Sequence, residues 1–278
     1  MRNDSYYIIL IYLFIFILCR KNKSKIISNF TSTDLNKNFD YNMKIYWINL
    51  ERSKDRKTRM NKQFKKFNIT NHERIEAVNG KKIKEYKFKM PEKIEKNLNK
   101  YKNILGCTLS HLKCVKKAYE NNDQICMVME DDICLETIPK WKHSLTEIIS
   151  KAPKNWNIIH LSMSNRRLID NLLNMKQDFI KRNINHYGTI AYIINRKGIE
   201  KIYNKYELYN EPNLKLNYNF KNIITAENIL YNYVNTYTYT KILFTFINTQ
   251  STIHLEDDDG NFKGRRKILD YYKVNSCE

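Results

Sequence analysis

Three consecutive carboxylates, Glu130, Asp131 and Asp132, follow a short apolar run, Ile125–Met129, that predicts a buried strand. Carboxylates at the end of a buried strand are costly unless a cation or hydrogen-bond donors compensate them. Glu130 and Asp132 have the i, i+2 spacing of a DxD-like element. Mn²⁺ and Mg²⁺ prefer oxygen ligands and can bridge them to a diphosphate. We therefore expect a metal and nucleotide site here, the alternative being an exposed acidic turn that caps the next helix.

A second acidic run, Asp257-Asp258-Asp259, has the same literal spacing but does not follow a buried strand. Basic residues follow it closely, so we expect a solvated, charge-balanced loop.

Basic and polar residues follow the first predicted strand. Asn49, Leu50, Arg52 and Arg56 lie where a nucleotide could meet backbone groups and an arginine fork. Taken singly, either arginine is an ordinary surface charge. The pattern becomes informative only if the fold brings these residues to the acidic run.

A small and polar stretch at residues 106–111 is predicted to open a helix, Leu109–Glu120, just before the acidic strand. Gly106, Ser110 and His111 would then lie at a helix amino end, which suits contact with an anionic ligand. A buried structural histidine is the alternative for His111.

The elements that must position these residues alternate between strand and helix, which predicts an α/β fold with a mainly parallel sheet. A charged amphipathic helix over Ser53–Phe67 follows the first strand, and a helix is predicted after Pro139 and another after Arg196. The lysine-rich stretch Lys81–Lys102 is interpreted as a mobile surface excursion. The predicted strands are Lys44–Asn49, His72–Val78, Ile125–Met129, Asn157–Leu161 and Thr189–Asn195.

The ordered motifs NLxRxxxR, AVNG, GCxLSH and VMEDD resemble glycosyltransferase family 25, which includes lipopolysaccharide-type sugar transferases and procollagen galactosyltransferases. The resemblance runs from about Lys44 to His254, and includes the WNIIHL, GTxAYI and QSTI segments. It implies a GT-A-like nucleotide-sugar-binding domain and an inverting, metal-dependent transfer of a hexose, galactose or glucose, from a UDP-sugar to a hydroxyl of a glycan or protein.

The same resemblance assigns roles to individual residues. It makes Glu130 and Asp132, with Asp131, the metal and nucleotide site for Mn²⁺ or Mg²⁺. Many such folds use a late metal ligand, and His254 is the candidate here, with a plain surface histidine as the alternative. Donor-side positions would be Asn49, Leu50, Arg52, Arg56, Gly106, Ser110 and His111.

An inverting transfer needs a base, for which Glu227 is the first candidate and His160 the second. The chain departs from the family where an Asp commonly follows Trp156, since it has Asn157, and where it has Glu227 in place of an Asp-containing segment. These departures leave an alternative open: a catalytically inactive, membrane-tethered family member that binds a nucleotide-sugar or glycan.

Fourteen uncharged residues at 6–19, followed by a basic cluster, predict a short membrane anchor or signal segment at the amino end. We expect a hydrophobic helix at 1–21, a polar linker at 22–42 and a catalytic domain at 43–278. Membrane association through residues 6–19 is therefore expected, with either side of the membrane open.

The composition is strongly basic, with 49 Lys and Arg against 29 Asp and Glu and a formal charge of +20. The excess is dispersed and no nucleic-acid motif accompanies it, so we expect no nucleic-acid partner. Only six Gly are present and they are too scattered for a dinucleotide fingerprint or P-loop. None of the six Cys forms a CxxC pair, and we expect buried, reduced thiols rather than disulfides.

Overall fold

The computed structural model describes residues 37–214, 224–247 and 258–277. The predicted hydrophobic helix and most of the predicted linker lie outside these residues. The strands are β1 Lys44–Asn49, β2 His72–Glu76, β3 Ile125–Glu130, β4 Ile133–Cys134, β5 Ile158–His160, β6 Phe179–Lys181, β7 Ala191–Asn195, β8 Thr236–Tyr239 and β9 Thr245–Phe246. The α-helices are α1 Lys54–Lys66, α2 Glu92–Glu95, α3 Leu98–Glu120, α4 Leu145–Lys151, α5 Arg166–Leu173, α6 Arg196–Lys205, α7 Ala226–Tyr231 and α8 Asp258–Tyr271.

Within the described residues a seven-stranded sheet has the order β2-β1-β3-β7-β5-β8-β6. Strands β2, β1, β3, β5 and β8 run in one direction, while β7 and β6 run against them. This confirms the predicted α/β class with a mainly parallel sheet flanked by helices. Because parallel strands end at one edge, the residues after β1, β3, β5 and β8 gather at the same edge of the sheet.

Alternating residues of the central strands supply two apolar layers, one on each face of the sheet. On one face, Ile45 and Trp47 of β1 pack in a cluster with Phe64 of α1. On the other face, Tyr46 belongs to a cluster with Leu112 of α3. Burial on both faces explains why β1 and β3 are nearly continuous apolar runs.

Helix α3 begins at Leu98, eleven residues before the predicted start at Leu109. The prediction that Gly106 opens a helix is therefore wrong. The apolar positions Leu98, Tyr101 and Leu105 continue the helical spacing backwards, and all three pack in the α3-side cluster. The intervening lysine and asparagine residues obscured this face in the sequence.

The stretch Lys81–Lys102, predicted as a mobile excursion, is structured instead. It contains a 3₁₀ helix at Gly80–Glu85, then α2 and the first turn of α3. The second acidic run also differs from the prediction, because Asp258 and Asp259 begin α8 rather than lying in a loop.

One disulfide joins Cys134 to Cys277 across a sequence separation of 143 residues, which corrects the expectation that the thiols are reduced. Cys107, Cys114 and Cys126 are free, as expected. The disulfide fixes the carboxyl-terminal segment against the short two-stranded sheet of β4 and β9.

No helix in the part of the chain that the structure describes is both long enough and apolar enough to cross a membrane.

Candidate functional site

Asp131 connects the ends of β1 and β3. Its Oδ2 accepts a 2.6 Å hydrogen bond from Nδ2 of Asn49, and its Oδ1 accepts one of 2.8 Å from Arg56 of α1. Arg59, one helical turn after Arg56, donates to the Asp131 carbonyl at 3.3 Å. The middle carboxylate is thus fully committed to holding the strand ends and α1 together.

Asn49 is held in turn by Arg74 of β2, whose Nε donates to the Asn49 Oδ1 at 2.9 Å. The same guanidinium donates to Glu51 at 2.6 Å. Arg74 was not predicted from the sequence. A charged residue in the middle of a short strand was the only feature that could have indicated its role. Arg74 orients the Asn49 amide so that its nitrogen faces Asp131.

Glu130 receives partners from two other elements. Thr189, just before β7, donates its hydroxyl to Glu130 Oε1 at 2.6 Å, and Nε2 of His111 on α3 lies 3.4 Å from the same oxygen. Burial raises the pKa of Glu130, but His111 and the Thr189 hydroxyl outweigh burial, so its pKa is below the ordinary value. Thr189 was not predicted as a site residue, although its segment was part of the motif pattern.

Asp132 differs from its two neighbours because its buried Oδ1 has no hydrogen-bond partner. Its other oxygen lies 3.6 Å from Arg56. Burial, followed by the charge of Glu130, raises the pKa of Asp132 to about 7. An unpartnered carboxylate oxygen beside a second carboxylate is an arrangement that a bound dication would stabilise.

A cavity of about 120 Å³ opens at this edge of the sheet. Nine residues that the sequence analysis predicted as site residues line this cavity, so the fold brings them together at one site. They are Asn49, Leu50, Arg52, Arg56, Ser110, His111, Glu130, Asp131 and Asp132.

Gly106 and Ser110 shape the wall of this cavity from within α3. The Ser110 hydroxyl accepts from the Val78 N–H at 2.8 Å and donates to the Gly106 carbonyl at 2.6 Å. A Cβ on Gly106 would lie only 2.7 Å from the Val78 carbonyl oxygen. Both residues therefore fix the turn after β2 against α3, and Gly106 itself does not line the cavity.

Arg52 lies at the exposed rim, where it donates to Asn79 Oδ1 at 2.8 Å. Asn79 also caps the 3₁₀ helix by accepting from the Lys81 N–H. The exposed Arg52 is the more available of the two predicted arginines for an anionic ligand, since Arg56 already pairs with Asp131.

Glu227 lies in the first turn of α7 and accepts a 3.3 Å hydrogen bond from the Gly188 N–H. Gly188 has φ of +111°, a left-handed conformation that favours glycine. Since the next residue, Thr189, bonds to Glu130, the Gly188–Thr189 link connects two carboxylates at one edge of the sheet.

His160 is fully buried at the end of β5, with its Nε2 3.4 Å from the Ser162 hydroxyl and its ring 5.0 Å from that of Tyr231. Burial, followed by the positive charge of Arg182, lowers the pKa of His160 to about 3. His160 is therefore a neutral core group rather than a group exposed to solvent.

Asn157, the first noted departure from the family pattern, lies at the opposite, amino end of β5. Its Oδ1 accepts from Lys201 and from the Asn235 N–H, both at 3.2 Å. This position does not bear on the chemistry of the acidic edge. His254, the predicted late metal ligand, lies outside the described residues.

The fold and the site define an α/β protein whose ligand cavity, at the carboxyl edge of the sheet, combines carboxylates with arginines. The model of the family described as Glycosyltransferase family 25 (LPS biosynthesis protein) matches residues 42–216. The chain therefore belongs to glycosyltransferase family 25, which confirms the resemblance found in its motifs.

Curated relatives are consistent with this membership. The chain is 30% identical over 131 residues to Putative glycosyltransferase R655 of Acanthamoeba polyphaga mimivirus, covering 44% of this chain and 38% of that protein. It is 28% identical over 174 residues to Procollagen galactosyltransferase 2 of Mus musculus, covering 57% of this chain and 27% of that protein. It is 26% identical over 168 residues to a Glycosyltransferase 25 family member of Anopheles gambiae, covering 57% of this chain and 28% of that protein. The matched segments span well under half the length of these relatives.

Proposed function

We propose that this protein is an inverting glycosyltransferase that moves a hexose from a UDP-sugar to a hydroxyl group of a glycan or protein acceptor. Family membership supports sugar transfer. The observation that carries the site assignment is the unpartnered buried oxygen of Asp132, a residue that lines the same cavity as Glu130 and the two predicted arginines. A GT-A-like arrangement is supported by the mixed sheet with its ligand cavity at the carboxyl edge.

A divalent cation, Mn²⁺ or Mg²⁺, fits the donor set of this cavity. Glu130 and Asp132 would hold it, with His254 as a further candidate ligand. When bound, such an ion neutralises the diphosphate charge that develops as the nucleotide leaves. The chemistry of two adjacent carboxylates, one with an unused oxygen, matches the preference of hard cations for oxygen ligands.

Residues of the chain itself bind the nucleotide, fix the geometry of the cavity and accept the proton of the acceptor. Arg52 at the rim binds the nucleotide's negative charge, while Arg56 and Asn49 hold Asp131 and so fix the geometry of the cavity. Glu227 accepts the proton of the acceptor hydroxyl as that oxygen attacks the anomeric carbon. His160 ranks behind Glu227 because it is wholly enclosed by protein.

The acceptor and the sugar are proposed only by class. Relatives include a procollagen galactosyltransferase, and the family description names LPS biosynthesis, so galactose transfer to a surface glycan or a protein hydroxyl fits both. Membrane tethering through residues 6–19 remains part of the proposal and would bring the domain to a membrane-bound acceptor.

A donor screen tests the function. The purified full chain is incubated with Mn²⁺ and a panel of UDP-sugars, and free UDP is measured. We expect UDP release from at least one donor; a folded protein that releases none would refute the proposed activity. Mn²⁺-dependent UDP binding without turnover would instead favour the inactive binding module.

A further inference from the structure

Cys107 and His111 lie on one face of α3, four residues apart, and both line the cavity described above. The carboxylate of Glu130 approaches them from the end of β3. One ligand atom from each residue, a thiol sulfur, an imidazole nitrogen and a carboxylate oxygen, lies within 4.8 Å of the other two. Unlike Glu130 and Asp132, which are neighbours in the sequence, these three potential ligands come from two separate elements that the fold brings together.

The His111 imidazole has one ring nitrogen that makes no hydrogen bond, and this nitrogen could bind a metal ion. The ring is fully buried, and its Nε2 lies 3.4 Å from Glu130 Oε1, near enough for a charge interaction but without the geometry of a hydrogen bond. Nδ1 lies 3.3 Å from the Tyr192 hydroxyl on β7. A metal-bound histidine characteristically uses one ring nitrogen for the ion and fixes the other with a hydrogen bond.

We propose that Cys107, His111 and Glu130 form a binding site for a thiophilic divalent cation, with Zn²⁺ as the expected ion. Sulfur and imidazole donors select softer ions than the carboxylate pair Glu130 and Asp132 does. Zinc bonds of about 2.0–2.3 Å in a tetrahedral site separate ligand atoms by roughly 3.5 Å, close to the observed distance between His111 and Glu130. Three protein ligands leave a fourth position open to the cavity.

Binding has a defined proton balance. The Cys107 thiol releases one proton to solvent as the thiolate–zinc bond forms, and the thiolate and Glu130 then neutralise the two positive charges of the ion. Because Glu130 belongs to both ligand sets, Zn²⁺ at this site competes with an ion held by Glu130 and Asp132. The inference goes beyond the proposed transferase, since it concerns metal binding in the absence of any donor sugar.

Cobalt provides a direct probe, because Co²⁺ bound to a thiolate gives a near-ultraviolet charge-transfer band. The full chain carrying Cys19→Ser is titrated with Co²⁺ without added nucleotide, and then with Zn²⁺. We expect a thiolate band that saturates at one equivalent and is displaced by Zn²⁺. Cys107→Ser should abolish this band, while Cys114→Ser, a matched change of a buried thiol on the same helix, should leave it intact.

Two further measurements keep the test decisive if Cys107→Ser fails to fold. Zn²⁺ titration of unbuffered Cys19→Ser chain should release one proton per ion bound, and Tyr192→Phe should weaken Zn²⁺ binding about 10- to 100-fold. Absence of a charge-transfer band from the folded Cys19→Ser chain, or a band that Cys107→Ser retains, would overturn the site. Neither result bears on UDP release, so failure here is distinguishable from failure of the transferase assignment.

Discussion

The Asn49 amide donates a 2.6 Å hydrogen bond to Asp131, joining the ends of two adjacent parallel strands inside the protein. This bond fixes the middle member of the acidic run, and so it sets where the outer two carboxylates lie. Arg74 and Arg56 approach the pair from the two sides. The geometry of the whole cavity therefore depends on one buried amide.

Replacing Asn49 with Ala should remove this link and leave Asp131 with an unmet hydrogen bond. We expect the free energy of unfolding to fall by about 1–3 kcal/mol, because a buried acceptor loses its donor. Urea unfolding measures the change. Asn71→Ala is the matched control, since its exposed 3.3 Å bond to Asn42 should contribute little. An equal effect of both variants would contradict the structural role of Asn49.

Glu227→Gln should lower turnover roughly 10²- to 10⁴-fold, the usual contribution of a general base, while UDP affinity stays near that of the wild type. The amide keeps the size of the side chain but cannot take the proton of the acceptor. Turnover is measured with the donor that the UDP-release screen identifies. Glu200→Gln is the control, since Glu200 pairs with Arg196 on the exposed side of α6. Full turnover in Glu227→Gln would move the base elsewhere, with His160 as the next residue to test.

Stability should fall as the pH is lowered from 6.5 towards 3, in part because of His160. Its pKa is lowered from 6.5 to about 3 in the folded chain, so between these values only the unfolded chain binds the proton. Above pH 6.5 the imidazole is neutral in both states and contributes no pH dependence. At pH 5 the proton bound by His160 in the unfolded chain lowers the free energy of unfolding by about 2 kcal/mol relative to neutral pH.

The check is a comparison of unfolding free energies at pH 7 and pH 5 for the wild type and His160→Asn. The variant should lose less stability over this interval. It should not become independent of pH, because burial also lowers the pKa of His72 and His186. Identical pH dependence in the two proteins would show that His160 is not enclosed as described.

The sequence predicted five of the seven strands of the central sheet but not β6 or β8. The clearest predictions were β1 and β3, because they are buried on both faces and form nearly continuous apolar runs. The sequence also predicted most of the cavity, since residues that follow parallel strands must meet at one edge. Contacts from distant segments were not predictable. Arg74, Thr189 and the start of α3 were missed because each depends on a partner far along the chain or on an apolar face hidden among lysines.

The disulfide between Cys134 and Cys277 illustrates the same limit, since nothing in their spacing indicates a pair. Removing it should lower the free energy of unfolding by about 2–5 kcal/mol, because a very long loop is released in the unfolded chain. Cys134→Ser and Cys277→Ser should be equally destabilised, and the double variant no more than either single one. Clearly additive losses in unfolding experiments would mean that the two residues do not share a bond.

Metal-dependent nucleotide binding tests the central claim most directly, because it depends on the acidic edge and not on the identity of the acceptor. UDP is titrated into the full chain by calorimetry with and without Mn²⁺, for the wild type and for Asp132→Ala. We predict that Mn²⁺ strengthens UDP binding to the wild type and that Asp132→Ala loses this dependence while remaining folded. Metal-dependent binding of equal strength in the variant would place the nucleotide and metal site elsewhere in the protein.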